Sequence, residues 1–112
     1  MSESMKKNKD FQNVYHNGKS YANKYLVMYV LKNEMNTNRI GISVSKKVGN
    51  SVVRHRLTRL IRESFRLNAT MFHNGLDIVV IARVSAKGKN FNEICSAIMH
   101  LGRIQKILKE MI

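Results

Sequence analysis

The residues best suited to chemistry in this sequence are arginines at helical spacing. The stretch 45–66, SKKVGNSVVRHRLTRLIRESFR, holds two lysines and five arginines but only one acid. His55, Arg59, Arg62 and Arg66 follow one another at spacings of four, three and four residues, which places them on one side of an α-helix. A guanidinium group binds phosphate through two parallel hydrogen bonds. The pattern therefore predicts a surface that binds a polyanion.

A solvated helix face and a membrane-surface helix both fit this basic stretch less well. A merely solubilising face would alternate arginine with glutamate, whereas residues 39–66 carry eight Lys or Arg and one acid. A membrane-surface helix would need bulky apolar residues over a wide, free face. The apolar stripe opposite the arginines is narrow, and we expect it to pack on a sheet; its members are Val53, Leu57, Leu60 and Ser64. Nucleic acid is thus the favoured partner.

Catalysis by the chain itself is not predicted. The seven acidic residues are scattered, and the four histidines show no metal-ligand spacing. Nucleophile-elbow, Walker and dinucleotide-binding glycine patterns are absent from the sequence. Cys95 is the only cysteine, so it forms no internal disulfide, and its apolar neighbours predict a buried thiol. We expect no catalytic residue, and no metal or cofactor bound by the protein alone.

Composition sets the class of protein. The chain has 112 residues, of which 44% are hydrophobic and 24% charged, as expected for one globular domain. Twenty Lys and Arg against seven Asp and Glu give a formal charge of +13, which favours a polyanionic partner. There is no apolar run of membrane-spanning length and no signal-peptide pattern, so we expect a cytoplasmic protein that does not bind membranes.

The elements that would position the arginines follow from hydrophobic periodicity. It predicts the order helix, strand or strand pair, strand, helix, strand, helix, an α/β or α+β arrangement in which helices pack on one sheet. The approximate bounds are 8–18, 25–32, 39–45, 50–67, 76–84 and 90–111. Asn8 and either Asn50 or Ser51 are predicted helix N-caps, and Gly18 is a predicted helix stop.

Aromatic residues supply a second candidate surface. Phe11 and Tyr15 share a helix face, and alternation along the first long strand predicts that Tyr25, Val27 and Tyr29 point to one side of it. Aromatic rings beside a basic helix can stack on the bases of a single strand, although the same residues could also be ordinary core. The spacing leaves both interpretations open.

Three segments together resemble the bacterial ribonuclease P protein subunit. They are NKDFQNVYHNGKSYANKYLVMYVL, RIGISVSKKVGNSVVRHRLTRLIRESFR and DIVVIARVSA, and the similarity covers roughly residues 5–108. It implies one α+β domain over residues 1–112, with residues 1–7 flexible. It also implies the order α-β-β-β-α-β-α, a four-stranded sheet and a left-handed β-α-β crossover like that of a domain of ribosomal protein S5.

The resemblance also implies sites and partners. The family's RNA-subunit site matches Lys46, Lys47, Asn50, Arg54, His55, Arg56, Arg59, Arg62 and Arg66 here. Its cleft for the 5′ leader of precursor tRNA matches Phe11, Tyr15, Val27, Tyr29 and Ser43. His55 departs from the asparagine of the family's Arg-Asn-Arg motif; it keeps a polar side chain, so we expect weakened or altered contact and not loss of the site.

These implications give a specific functional expectation. The chain would be a monomeric partner of one catalytic RNA in a ribonucleoprotein that removes the 5′ leader of precursor tRNA, with magnesium entering through the RNA. The alternative is a structural RNA-binding protein of ribosomal type without a role in tRNA processing.

Overall fold

The sheet at the centre of the molecule has five strands. The computed structural model describes residues 2–110 of the chain. The strands are β1 (Ser2–Ser4), β2 (Lys19–Ala22), β3 (Leu26–Lys32), β4 (Asn38–Ser43) and β5 (Leu76–Ala82). The helices are α1 (Asn8–Asn17), α2 (Ser51–Leu67) and α3 (Phe91–Ile104), and short 3₁₀ turns span Ala69–Met71 and Val84–Ala86. None of the helices described is long and apolar enough to cross a bilayer.

The strand order is β1-β4-β5-β3-β2. β4 and β5 are parallel neighbours joined through α2, β1 is parallel to β4, and β3 is antiparallel to both β5 and β2. β5 lies in the middle, and its sequence, apolar except for Asp77, fits a strand that is buried on both faces. Ile78, Val79 and Val80 are all fully buried there.

The two faces of the sheet are covered by different helices. α2 and α3 pack on the face that includes Ile78 and Val80, where the main core forms. α1 packs on the opposite face, where Val14 and Val79 are fully buried. Because side chains alternate along a strand, any surface beside α1 is separated by the sheet from the surface of α2.

The structure confirms the predicted α+β class and the bounds of the central helix, which begins after Asn50 and ends at Leu67. The predicted count of four strands is wrong, because β1 adds a fifth. We expected residues 1–7 to be flexible, whereas Ser2–Ser4 pair with β4 and the buried Met5 donates its backbone N–H to the carbonyl of Ile40 at 2.8 Å. A three-residue polar strand carries no periodic pattern to predict it. The hand of the β4-α2-β5 crossover stays a prediction.

The last helix is shorter than predicted. α3 ends at Ile104, and Lys106 adopts a left-handed backbone with φ 59°, which turns the chain back. Leu108 then packs on Gly102 and pairs with Phe72 as an isolated bridge. Residue 111, included in the predicted helix, lies outside the described residues.

The structure also differs from three smaller predictions, which concern a helix cap, two strand ends and the burial of Cys95. Asn8 is the first helical residue of α1, and the cap position is Lys7, which makes no side-chain capping bond. β4 and β5 each end two residues before the predicted limit, at Ser43 and Ala82. Cys95 is half-buried, and its Sγ accepts a hydrogen bond from the side-chain amide of Asn68 at 3.3 Å.

Candidate nucleic-acid interface

Helix α2 positions the basic row. It starts where the Asn50 side chain accepts a hydrogen bond from the Val53 N–H at 3.0 Å, the usual contact of an N-cap. On the side of α2 that faces the sheet, Leu57, Ile61 and Phe65 are buried. Val53 and Leu60 pack at the edge of this core. The predicted apolar stripe is therefore confirmed, and it is wider than expected. Burial of this stripe fixes which side of α2 faces outward.

The outward face carries the predicted cationic row. His55, Arg59, Arg62 and Arg66 are all exposed. Arg66 forms an ion pair with Glu63 one turn earlier, whereas Arg59 and Arg62 form none within residues 2–110. A surface concavity of about 610 Å³ follows this face; its lining residues are Val52, His55, Arg56, Thr58, Arg59, Arg62 and Glu63. Two arginines without acid partners beside a concavity suit contact with phosphates.

The other residues matched to the RNA-subunit site have mixed environments. Lys46 and Lys47 are exposed in a turn that the buried Val48 anchors. Arg54 and Arg56 are half-buried: the Nε of Arg54 is buried without a partner, and the Nη1 of Arg56 donates to the carbonyl of Lys89 at 2.9 Å. Arg56 thus also ties α2 to the segment before α3.

The predicted aromatic cleft forms between α1 and the sheet. Phe11 covers Gly41, where an added Cβ would lie 2.8 Å from the phenyl ring. Tyr15 meets Tyr29 edge-on with ring centroids 5.1 Å apart. Burial raises the pKa of the Tyr15 phenol, a hydrogen bond with Ser43 partly offsets this rise, and the nearby Tyr29 adds to it.

Most of the predicted cleft residues come together on this face. Phe11, Tyr15 and Tyr29 belong to one half-buried cluster, Ser43 lies near the Tyr15 hydroxyl, and Val27 precedes Tyr29 on the same side of β3. Tyr25 does not join them. It lies before β3 begins and packs against the main core on the α2 and α3 side, so the expectation that it shares a face with Tyr29 is wrong.

Sequence reasoning missed an ion-pair network that anchors α1. Arg39 donates from Nε and Nη2 to the two carboxylate oxygens of Asp77 at 2.8 and 2.6 Å, and its Nη1 lies 3.4 Å from Asp10 in the first turn of α1. Asn33 also donates to Asp77 at 2.9 Å. The available signal was an aspartate inside the otherwise apolar strand LDIVVIA, because a buried carboxylate requires partners.

The described residues include no group of three or more His, Cys, Asp or Glu side chains that could hold a metal ion. Residues 2–110 present a cationic surface on α2 and an aromatic surface beside α1.

The fold and these two surfaces define a class: a small, basic α+β protein with a cationic helix on one face of its sheet and aromatic rings on the other. Comparison with known proteins narrows the class. The family model for ribonuclease P matches residues 1–106. The chain belongs to the ribonuclease P protein family.

Individual relatives agree with this assignment. The ribonuclease P protein component of Lachnoclostridium phytofermentans is 67% identical over 108 residues, covering 96% of this chain and 93% of the relative. The solved structure of the Staphylococcus aureus RNase P protein has a TM-score of 0.88 at 40% identity and covers 97% of this chain and 100% of that one. For the Thermotoga maritima RNase P protein the TM-score is 0.82 at 35% identity, covering 90% and 96% of the two chains.

The chain is therefore of the kind that serves as protein subunit of a tRNA-processing ribonucleoprotein enzyme. The alternative of a ribosomal-type structural protein is not supported.

Proposed function

We propose that α2 binds the catalytic RNA subunit of ribonuclease P while the cleft beside α1 holds the 5′ leader of precursor tRNA. The observation that carries this proposal is the separation of the two surfaces by the sheet, with α2 on one face and the Tyr15 and Tyr29 pair on the other. Such a protein can contact both RNAs at once.

The RNA-subunit surface would work mainly through charge. Arg59 and Arg62 project from a helix whose apolar side is buried, so binding must order their side chains but not the backbone that carries them. Lys46 and Lys47 extend the positive surface beyond the start of the helix. Phosphate neutralisation of this kind also lowers repulsion between the catalytic RNA and its substrate.

The leader cleft would work mainly through stacking. A single strand offers unpaired bases, and half-buried rings such as Phe11 and Tyr29 present faces to them without reading sequence. The Tyr15 ring forms one wall of the cleft, and its hydroxyl lies near the Ser43 side chain. Tolerance of sequence suits leaders that differ from one precursor to the next.

Chemistry at the scissile phosphate is assigned to the RNA. Magnesium prefers phosphate oxygens and water, and the described side chains offer no cluster to hold it, so we assign the metal ions to the RNA and its substrate. We further propose a cytoplasmic particle with one protein monomer per RNA subunit.

The test is 5′ cleavage of precursor tRNA by the RNA subunit at low magnesium, with and without the full-length protein. We expect the protein to accelerate cleavage, and we expect the double variant Arg59→Glu, Arg62→Glu to lose most of this gain. The pair Lys32→Glu, Lys109→Glu is the matched control, because it changes the charge by the same amount at two exposed lysines that belong to neither proposed surface. A wild-type protein that gives no gain over RNA alone would overturn the proposal.

A further inference from the structure

A second polar groove lies on the α3 side of the molecule. It has a volume of about 580 Å³ and runs between the segment before β3 and the first three turns of α3. Its lining residues are Asn23, Lys24, Tyr25, Asn90, Asn92, Glu93, Ser96, Ala97 and His100. The volume is within the range of small-ligand sites and exceeds that of a single nucleobase.

Tyr25 forms the aromatic wall of this groove, with two ammonium groups beside it. The Nζ atoms of Lys24 and Lys89 lie 5.6 and 5.4 Å from the centroid of the Tyr25 ring. Neither lysine forms an ion pair within residues 2–110. Two like charges beside one ring repel each other unless an anion lies between them, so the arrangement suits a phosphate flanked by a stacked base.

Three side chains hold the backbone beside Tyr25 and at Lys89. Arg83 donates from Nη1 to the carbonyl of Asn23 at 2.7 Å, and Ser85 donates to the carbonyl of Lys24. Arg56 of α2 holds the carbonyl of Lys89 in the same way. Both lysines therefore extend from anchored main chain, and a site that is already ordered loses less entropy on binding.

Some polar groups of the groove are already hydrogen-bonded within the protein, and others are available for a ligand. Asn90 and Glu93 bond each other in the capping box of α3, and the Asn23 amide nitrogen bonds the carbonyl of Ala97 and Nδ1 of His100. The side chains of Asn92 and Ser96 line the groove and form no hydrogen bond within residues 2–110. Amide and hydroxyl groups of this kind bond the edges of unpaired bases.

We infer that the groove formed by Lys24, Tyr25 and the start of α3, with Lys89 beside the Tyr25 ring, binds an unpaired nucleotide of the catalytic RNA subunit. The inference rests on the proposed function, because it extends the α2 surface. Arg56 joins the two directly, since it lines the α2 concavity and also bonds the backbone of Lys89. The leader of precursor tRNA is the less suitable source, because its cleft lies across the sheet beside α1.

The experiment measures binding of the full-length protein to the complete RNA subunit over a range of salt concentrations. Lys24→Gln with Lys89→Gln removes both charges that would hold the phosphate, and we expect the slope of log K against log salt to fall by about 0.7, the value for one single-strand phosphate. Lys32→Gln with Lys109→Gln is the matched control and should leave the slope close to that of the wild type.

The aromatic wall is tested separately. Tyr25→Leu keeps apolar packing but removes the ring, and we expect binding at least about fivefold weaker, whereas Tyr25→Phe should bind like the wild type. Thermal unfolding of each variant shows whether the fold is intact. Equal behaviour of the groove pair and its control, or equal binding by the Leu and Phe variants, would overturn the inference.

Two further measurements separate this inference from the proposed function. Arg59→Ala is assayed in parallel: if it weakens binding while the groove variants do not, the α2 proposal stands and the groove inference fails. If Arg59→Ala also has no effect, the α2 proposal fails as well. A loss confined to precursor tRNA bound to the assembled holoenzyme would assign the groove to the substrate and contradict its assignment to the RNA subunit.

Discussion

Tyr29 and Tyr21 lie on neighbouring strands but face opposite sides of the sheet. Tyr29 meets the edge of Tyr15 on the side covered by α1. Tyr21 is 46% exposed and pairs with Met28, whose side chain belongs to the core under α2 and α3. The two tyrosines therefore form a matched pair, in which only Tyr29 has access to the proposed leader cleft.

Replacing Tyr29 by alanine should selectively weaken binding of the leader. Loss of one stacked base costs about 1 to 3 kcal/mol, so the reconstituted enzyme should lose this much affinity for precursor tRNA while its affinity for mature tRNA is unchanged. Tyr21→Ala should leave both affinities unchanged. Equal losses on precursor and mature tRNA for Tyr29→Ala would count against the cleft assignment.

Asn50 has a structural task that its match to the RNA-subunit site did not reveal. Its side chain caps α2, so Asn50→Ala should lower the free energy of unfolding by about 1 kcal/mol, whereas Asn50→Ser should preserve most of it. Urea denaturation of the three proteins measures the difference. A serine variant as unstable as the alanine variant would show that capping is not what Asn50 contributes. The RNA affinity of the serine variant, where the cap is kept, then reports direct contact alone.

At the scale of elements, the sequence predicted the bounds of a helix correctly where a long periodic segment begins at a recognisable capping residue. α2 shows this best, because its apolar positions recur at helical spacing and Asn50 marks its start. The end of α3 could not be predicted in this way. Leu108 continues the helical spacing, but the left-handed turn at Lys106 brings it back onto Gly102.

The parts of the candidate site whose residues lie close together in the sequence could be predicted, whereas the parts that the fold brings together could not. The row of His55, Arg59 and Arg62 follows from spacing along one helix, and the structure exposes it as predicted. The cleft needed the family resemblance, because α1 and β4 are brought together only by the fold. The pairing of Arg39 with Asp77 and the contact of Lys89 with Tyr25 join residues far apart in the chain, so no local pattern indicates them.

The Arg39 network links α1 to the middle of the sheet. Asp77 is only 1% exposed, and it accepts hydrogen bonds from Arg39 and Asn33. Arg39 in turn reaches Asp10 in α1. The network therefore fixes the start of α1 over β4, and with it the position of Phe11 in the proposed cleft.

This network should make stability depend on pH in the acid range. Burial raises the pKa of the Asp77 carboxyl, but hydrogen bonds from Arg39 and Asn33 and the charge of Arg39 outweigh burial and hold the pKa below its usual value. A folded-state pKa below the unfolded value means that the stabilisation is present above the unfolded pKa of about 3.9 and is lost as pH falls through the folded pKa.

The expected result is a stability profile that declines below about pH 4 in the wild type and declines less in Asp77→Asn. The variant should also be less stable at pH 7 by about 3 to 5 kcal/mol, because it leaves the Arg39 charge without its main partner. Chemical denaturation between pH 3 and pH 7 measures both effects. Glu34→Gln, which removes an exposed carboxylate, should follow the wild-type profile; an Asp77→Asn profile parallel to the wild type would contradict this account.

At the scale of the whole molecule, the sheet divides the protein into two surfaces that we propose act on different RNAs. The main core under α2 and the smaller cluster under α1 share the strands but not the side chains, because alternate residues of β5 point to opposite faces. A substitution at Tyr29 can therefore affect α2 only through the strands of the sheet, because the two faces share no side chains. Two separate surfaces on one sheet should contribute independently to assembly of the complex of protein, RNA subunit and precursor tRNA.

A double-mutant cycle tests this independence. Tyr29→Ala and Arg59→Ala lie on opposite faces and share no partner, so their effects on assembly of protein, RNA subunit and precursor tRNA should add within about 0.5 kcal/mol. Arg59→Ala with Arg62→Ala is the comparison pair: both side chains line one concavity, and we expect their effects to depart from additivity. The measured quantity is the free energy of binding the protein to the complex of RNA subunit and precursor. A coupling of more than about 1 kcal/mol between Tyr29 and Arg59 would mean that the sheet transmits binding on one face to the other, and the protein would then coordinate the two RNAs and not simply contact both.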